Sequence, residues 1–369
     1  MKATCDREKL LHAFQMAQSV APTRSPKPIL QNVKLEATPD ETTLMATDLD
    51  VGIRVDVLGF QVEAPGTVVL PIGRFGSILR ENSDEKLQLD GDGSKVRVRG
   101  DRSEFHLPME NPDEFPGITP FQEEKYHKLG ARFFRELVRR TVFATDSESS
   151  RFALGGVLLE LVGEQISAVA TDGRRMARQQ GPAVAVGGHE TREKTIVPTR
   201  SMQLLERVLA DNEEDVLLAA RDNDLLVKSQ RATICTRLVE GRFPKWRDVF
   251  PRTDQMTRME FTVGPFHSAV RQAAIVTSET HRGVDFTFAD GKMVVSARGA
   301  ELGESRVELP IGYDGPELSL TLDPRFLSDF LRVLDPDAVF NFFVRDPESA
   351  ALAETTDGYS YVIMPLARD

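Results

Sequence analysis

The chain has 369 residues, 40% of them apolar, and a formal charge of −11; that length suits three domains of roughly 120 residues, and the acidity taken alone argues against a nucleic-acid partner. No apolar run approaches the roughly 20 residues of a membrane span, and Met-Lys-Ala-Thr-Cys-Asp-Arg-Glu-Lys at the amino terminus lacks the apolar stretch of a secretion signal. Cys5 and Cys235 stand far apart, which excludes a disulfide framework and a zinc knuckle, so a cytoplasmic protein with no membrane partner is expected.

In chain order, Asp6 is placed to cap a helix over Leu10 to Val20, with Leu10, Leu11, Phe14 and Ala17 as its buried stripe. The loop Ala21 to Pro28 carries three prolines with Arg24 and Lys27 and reads as exposed and basic. A strand over Ile29 to Ala37 follows, then the alternating run Leu44 to Val55 with Thr47-Asp48 inside it. Val68-Val69-Leu70 closes at Pro71 and opens a helix over Ile72 to Glu81. Pro39-Asp40, Asp92-Gly93, Asp290-Gly291 and Asp357-Gly358 are hairpin punctuation. Asp92-Gly93-Ser94-Lys95 lacks the spacing of a phosphate-binding loop and the helix that would follow one, so it too reads as a turn.

The same order then recurs. Helical runs over Phe133 to Ala144 and Phe266 to Thr277 precede strands over Gly155 to Val162 and Gly283 to Ala289. Pro198 and Asp323 open helical runs over Thr199 to Leu209 and Pro324 to Leu334, as Pro71 does. Thr171 follows Thr47 by 124 residues and Ala297 follows Thr171 by 126, while Pro71, Pro198 and Asp323 step by 127 and 125. Phe115-Pro116, Phe243-Pro244 and Met364-Pro365 end the three units. A period that long means a repeated domain and not a solenoid. The expected fold class is α+β: three tandem copies of strand, helix, three strands, helix, strands, each with two helices packed on antiparallel sheets. Proline-dense stretches place the domains at 1–122, 123–252 and 253–369.

Charge is distributed unevenly over this pattern. Five of the six helical runs carry +1 and the third carries +3, so the helices hold +8 and the rest of the chain −19. At 100° per residue, Arg132, Arg135, Arg139 and Arg140 take one side of the third helix and Phe134, Leu137, Val138 and Val142 the other. Arg200 with Arg207, and Arg325 with Arg332, also share faces. A basic helix is ordinarily a solvated face, but six biased alike in an acidic chain point to one surface that meets a polyanion. No stacking motif, zinc module or recognition helix reads bases, so the contact is with phosphates, weak and salt-sensitive.

Catalysis finds no motif. Asp48, Asp50 and Asp172 are the candidate carboxylates, and His12, His106, His127, His189, His267 and His281 the candidate bases or ligands. No histidine pair has i, i+4 spacing and no Gly-x-Ser-x-Gly elbow occurs. Asp48 and Asp172 recur at repeat phase, which fits a backbone turn better than a catalytic residue. No enzyme activity, cofactor, metal site or catalytic residue is expected.

Ala-Thr-Asp-Gly-Arg-Arg-Met-Ala at 170–177, Leu-Val-Glu-Gly-Arg-Phe-Pro at 238–244, Pro28-Ile29-Leu30 and Tyr-Val-Ile-Met-Pro-Leu at 361–366, in phase with the threefold repeat, resemble the bacterial DNA sliding clamp, the beta subunit of DNA polymerase III. The resemblance covers essentially the whole chain. It implies a head-to-tail homodimer closing into a six-domain ring, with sheets outside and helices lining the hole. The polyanion is then double-stranded DNA, met without regard to sequence; Arg24, Arg74, Arg80, Arg132, Arg135, Arg139, Arg200, Arg207, Arg271, Arg325 and Arg332 are expected to face it. Ring closure falls on Phe105 and Leu107 of an edge strand against Ile275 and Val276 at a helix end. An apolar pocket for short peptides of the polymerase III catalytic subunit, the clamp loader and other proteins with a clamp-binding motif falls on Leu154, Thr171, Gly173, Arg174, Arg175, Met176, Pro244, Val249, Val362, Met364, Pro365 and Leu366. The expected function is a processivity factor. The alternative is a specialised clamp paralogue that serves as a peptide-binding scaffold in repair or drug tolerance. Arg174, Asp248, Glu148 and the Ala367-Arg368-Asp369 tail depart from the family pattern.

Overall fold

A computed structural model describes residues 1–146, 148, 153–191, 195–209, 214–278, 282–299 and 302–367. The first repeat runs β1 (Lys2–Asp6), α1 (Arg7–Gln18), β2 (Asn32–Ala37), β3 (Thr42–Thr47), β4 (Val51–Asp56), β5 (Phe60–Ala64), β6 (Gly66–Pro71), α2 (Ile72–Glu81), β7 (Lys86–Gly91), β8 (Lys95–Arg99) and β9 (Glu104–Pro108). The second runs β10 (Tyr126–Gly130), α3 (Ala131–Thr141), β11 (Gly156–Val162), β12 (Gln165–Thr171), β13 (Arg175–Pro182), β14 (Val184–Val186), β15 (Ile196–Pro198), α4 (Thr199–Val208), β16 (Asp215–Ala220), β17 (Asp224–Lys228) and β18 (Ala232–Arg237). The third runs β19 (Thr257–Thr262), α5 (Val263–Ala273), β20 (Val284–Ala289), β21 (Lys292–Gly299), β22 (Gly303–Pro310), β23 (Leu318–Leu322), α6 (Pro324–Arg332), β24 (Val339–Val344), β25 (Ala351–Glu354) and β26 (Tyr359–Ile363).

These elements form two compact units. One holds Met1–Arg135, Val184–Glu190 and Arg200–Leu238; the other holds Glu136–Ala183, Thr191–Thr199 and Val239–Asp369. In the first unit a sheet ordered β5-β1-β7-β8-β9 accompanies one ordered β14-β10-β16-β17-β18-β4-β3-β2-β6. The second unit has β15-β11-β12-β13-β26-β25-β24-β19 and β22-β21-β20-β23. Sheets therefore continue past the repeat boundaries: β4 pairs with β18, and β13 with β26. Each such pairing removes an exposed strand edge.

Local chemistry explains the helix starts. Asp6 accepts from Lys9 N at 3.0 Å, and Asp323 accepts from Arg325 N at 2.9 Å ahead of Pro324, a proline position that wastes no donor. The core of the first unit includes Phe14 against Phe75 at 5.2 Å. That of the second gathers Phe261, Phe266, Phe286, Phe340 and Phe342, with Phe261 and Phe266 centroids 4.8 Å apart, edge-to-face and offset geometries that add to simple burial.

Four expectations need correction. Five strands, not three, separate the helices of the first two repeats, and four those of the third. The extra β5 and β14 pair with the first strand of their repeat; β5 is mostly exposed although Phe60-Gln61-Val62-Glu63-Ala64 alternates. Leu11 is only half-buried and Ala13 takes its place in the stripe of α1. The chain at Pro28–Gln31 is a 3-10 turn ahead of β2, because proline opens it. Arg140 is buried, not on the open side of α3.

Candidate functional site

The hairpin between β12 and β13 is built by its own polar side chains. Thr171 Oγ1 donates to Arg175 O at 2.6 Å and accepts from Gly173 N at 3.1 Å. Asp172 Oδ1 accepts from Arg174 N and Arg175 N at 2.9 and 3.0 Å. Gly173 has φ +87°, a region that costs other residues about 1–2 kcal/mol. Thr47 to Val51 repeat the arrangement: Thr47 Oγ1 donates to Val51 O at 2.8 Å, and Asp48 Oδ1 accepts from Asp50 N and Val51 N. Both aspartates are thus occupied in turns.

Behind the hairpin, β13 pairs with β26 so that Met176 faces Val362, and Met364 N donates to Arg174 O at 2.9 Å. Met176 and Val362 pack with Leu158, Val169, Ile196, Phe243, Trp246 and Leu352 in one apolar cluster. Leu154 is buried beside the cluster's Ala153, whereas Val249 and Met364 are 60% and 44% exposed. Pro244 is half-buried, and its carbonyl accepts from Trp246 N at 2.7 Å. Pro365 and Leu366 are half-buried, and Leu366 N donates to Thr321 O on β23. An apolar floor with a rim of exposed apolar side chains can seat an adaptable ligand, and methionine suits varied ones.

Arg174 is exposed. Arg175 is not: its Nε bonds Asp172 at 3.0 Å, Nη1 bonds Asp329 at 2.6 Å and Nη2 bonds Phe143 O at 2.9 Å, with the guanidinium 4.5 Å from the Phe326 ring. Sequence reasoning missed Asp329, Phe326, Trp246 and Arg178, the last lying 4.5 Å over Phe250. The only tryptophan, three residues past Phe243, was the available signal. Nothing marked the others before the fold was known.

The expected basic surface divides by partner. Arg24, Arg74, Arg80, Arg132, Arg139, Arg200, Arg207, Arg271, Arg325 and Arg332 are exposed, and Arg135 is half-buried with its Nε on Glu206 O at 3.1 Å. Arg200 reaches buried Asp48 at 2.7 Å and Arg325 reaches buried Asp323 at 2.6 Å. Arg140 pairs with Glu136 and with Asp357 at 2.8 Å, and bonds Gln179 at 2.9 Å; burial is offset by these partners.

At the edge strand β9, Phe105 is 38% exposed and Leu107 is buried. Phe105 borders a cleft of about 410 Å³ with Ile78, Asn82 and Arg102. Ile275, 77% exposed, and Val276 sit in the 3-10 turn after α5. His127 and His189 form a buried pair, Nδ1 to Nδ1 2.7 Å; His12 and His106 are exposed and His267 is half-buried, while His281 lies outside the described residues. Among the described residues no group of three His, Cys, Asp or Glu is disposed to hold a metal, and no helix is long and apolar enough to cross a membrane. Glu148 is exposed; Arg368 and Asp369 are not described.

Models of the DNA polymerase III beta subunit match the chain as its N-terminal domain over residues 1–119, its central domain over 128–245 and its C-terminal domain over 247–367. The beta sliding clamp of Vibrio cholerae is 30% identical over 373 residues, covering 99% of this chain and 100% of that protein. That of Caulobacter vibrioides is 29% identical over 380 residues, with the same coverage. The crystal structure of the DNA polymerase III subunit beta from Pseudomonas aeruginosa superposes with a TM-score of 0.93 at 26% identity over all of both chains, as does that of the same organism's sliding clamp bound to griselimycin. With the threefold clamp fold and full-length likeness together, the chain belongs to the beta sliding clamp family, the beta subunits of DNA polymerase III.

Proposed function

We propose that two copies of this chain close head to tail around duplex DNA in the cytoplasm, slide along it, and hold the polymerase III catalytic subunit, the clamp loader and other motif-bearing proteins at the pocket floored by Met176 and Val362, without catalysing a reaction. As a beta sliding clamp the chain is a DNA polymerase processivity factor. Its clamp domains meet near residues 122 and 252. The observation that carries the tethering role is the contrast between the packed floor of Met176, Val362 and Trp246 and the exposed rim of Val249 and Met364: an extended peptide gains apolar burial there at little cost in reordering. Griselimycin, seated on the Pseudomonas aeruginosa clamp, is proposed to dock at the same place here, with Leu154, Thr171, Gly173, Arg174, Pro244, Pro365 and Leu366 around it.

In the ring, the edge strand β9 with Phe105 and Leu107 meets Ile275 and Val276 of the second copy, and the cleft beside Phe105 takes an apolar side chain that is otherwise 77% exposed. Arg24, Arg74, Arg80, Arg132, Arg135, Arg139, Arg200, Arg207, Arg271, Arg325 and Arg332 supply loose phosphate contacts, which permit sliding because topology, not affinity, keeps the ring on DNA. The test is retention. The protein is loaded onto nicked circular duplex with a clamp loader, washed in high salt, and the circle is then cut. Loss only after linearisation supports the ring. Release from circles by salt alone refutes it and favours a peptide scaffold.

A further inference from the structure

Arg175 was expected to greet the peptide, yet its donors are spent inside the protein. One carboxylate oxygen of Asp329 on α6 takes its Nη1 at 2.6 Å, and the other faces Nη1 of Arg332 at 3.9 Å. Side-chain exposure grades along this line from 10% at Arg175 through 30% at Asp329 to 72% at Arg332. Arg175 in turn fixes the Asp172–Met176 hairpin, whose Arg174 carbonyl holds Met364 N. Asp329 thus sits between an inner guanidinium that anchors the pocket and an outer one that belongs to the basic surface.

We infer that Asp329 is a positioning residue for the pocket and couples it to phosphate binding. A phosphate that draws Arg332 outward leaves the Asp329 charge to Arg175 alone, which tightens the hairpin on α6 and pre-organises the floor for a ligand. The coupling is reciprocal: a filled pocket strengthens the phosphate contact by the same factor. It rests on the pocket and phosphate-face assignments proposed above. Its size is that of one exposed i, i+3 ion pair, so about twofold in affinity.

The experiment measures griselimycin affinity calorimetrically on the full chain, with and without excess short linear duplex at low salt, alongside thermal melting. In the native protein the duplex raises affinity about twofold. Asp329→Asn weakens griselimycin about fivefold, equal to roughly 1 kcal/mol, and abolishes the duplex effect. Arg332→Gln binds griselimycin as the native protein does with duplex present, and shows no further duplex effect; being an exposed substitution, it decides the coupling even if Asp329→Asn fails to fold. A duplex effect that persists in Arg332→Gln, or unchanged affinity in folded Asp329→Asn, overturns the inference alone. No griselimycin binding by the native chain overturns the pocket reading and the inference with it.

Discussion

If the arginine face meets phosphates, its members should not contribute equally, because some already face a buried carboxylate. Arg139 and Arg207 donate to backbone carbonyls, Val333 O at 3.4 Å and Gln203 O at 3.3 Å. Arg200 and Arg325 instead hold Asp48 and Asp323, whose side chains are 8% and 4% exposed, so each pair is locally near neutral. Every phosphate neutralised contributes about 0.9 to the slope of log affinity against log salt. Removing Arg139 and Arg207 together, as alanines, should lower that slope by about 1.8 for each copy in the ring. Between 50 and 200 mM salt the native protein would then lose roughly tenfold more affinity than the variant for each copy engaged. The Arg200→Ala, Arg325→Ala protein should lose less than about 0.9 of slope per copy. It should instead melt earlier, since two buried carboxylates lose a partner, at ~1 kcal/mol each because the arginine heads lie largely in water. Anisotropy of a labelled short duplex across the salt series, with melting curves, separates the two. Equal slope losses in both variants would refute the argument that internal pairing sets the phosphate contribution.

Gly173→Ala meets open space, so it tests backbone conformation alone: at φ +87° it should cost about 1–2 kcal/mol in denaturant unfolding, and an unchanged midpoint would sink the left-handed turn. Met364→Ala with removal of Leu366 to Asp369 takes away the Met364 side of the exposed rim and should reduce griselimycin affinity at least about tenfold, roughly 1.4 kcal/mol; calorimetry showing unaltered affinity would refute the pocket. Acid should destabilise the protein in a defined window. Burial holds His189 below its ordinary value of 6.5 and does the same to His267, helped there by Arg271 and Arg332. The unfolded chain then binds more protons, so stability is whole above about 6.5 and falls as pH drops toward the depressed folded values. Urea midpoints flat between pH 7 and 5 would contradict that.

Where periodicity and turn chemistry act locally, the chain was readable. The helix Ile72–Glu81 begins after Pro71 and ends where expected, and the Asp48 and Asp172 turns follow from their recurrence. Repeat phase located β3, β12 and β21 together. What escaped depended on neighbours distant in sequence. Arg140 occupies a helical position that 100° stepping assigns to the open side, but Asp357 and Gln179, 217 and 39 residues away, draw it into the interior. The same limit hid Asp329: its relation to Arg175 spans 154 residues. Short β5 and β14, five and three residues long, add to a strand edge, and the alternation of Phe60 to Ala64 is too brief to separate a strand from a loop. Within the candidate site, Met176, Val362 and Met364 were legible as a motif, whereas the inward role of Arg175 needed its partners.

Three copies of one domain plan do not yield three equivalent sockets, and the side chains say why. At the junction of β4 and β18, Gly52 faces Cys235; at that of β13 and β26, Met176 faces Val362. The residues correspond, 124 and 127 positions apart. Ile118 and Trp246, 128 apart, cover the two junctions, but differently. A β-carbon on Gly52 would lie 2.9 Å from Ile118 Cγ2, so the first junction has closed over a residue with no side chain, and Ile118 is itself buried with Met45, Val69 and Phe115. Methionine could not enter there without expelling Ile118. In the second junction the methionine is present, the tryptophan lies beneath with it, and the rim is left exposed. In the third copy the sequence between β21 and β22 carries no Thr-Asp pair, and the two strands pair on to Gly299 and Gly303. Leu49, held at φ +84° where its counterpart is Gly173, keeps the turn of the first copy at a conformational cost of about 1–2 kcal/mol. The turn is therefore shared by the first two copies, while only the second junction holds a buried methionine and tryptophan beneath the exposed side chains of Val249 and Met364.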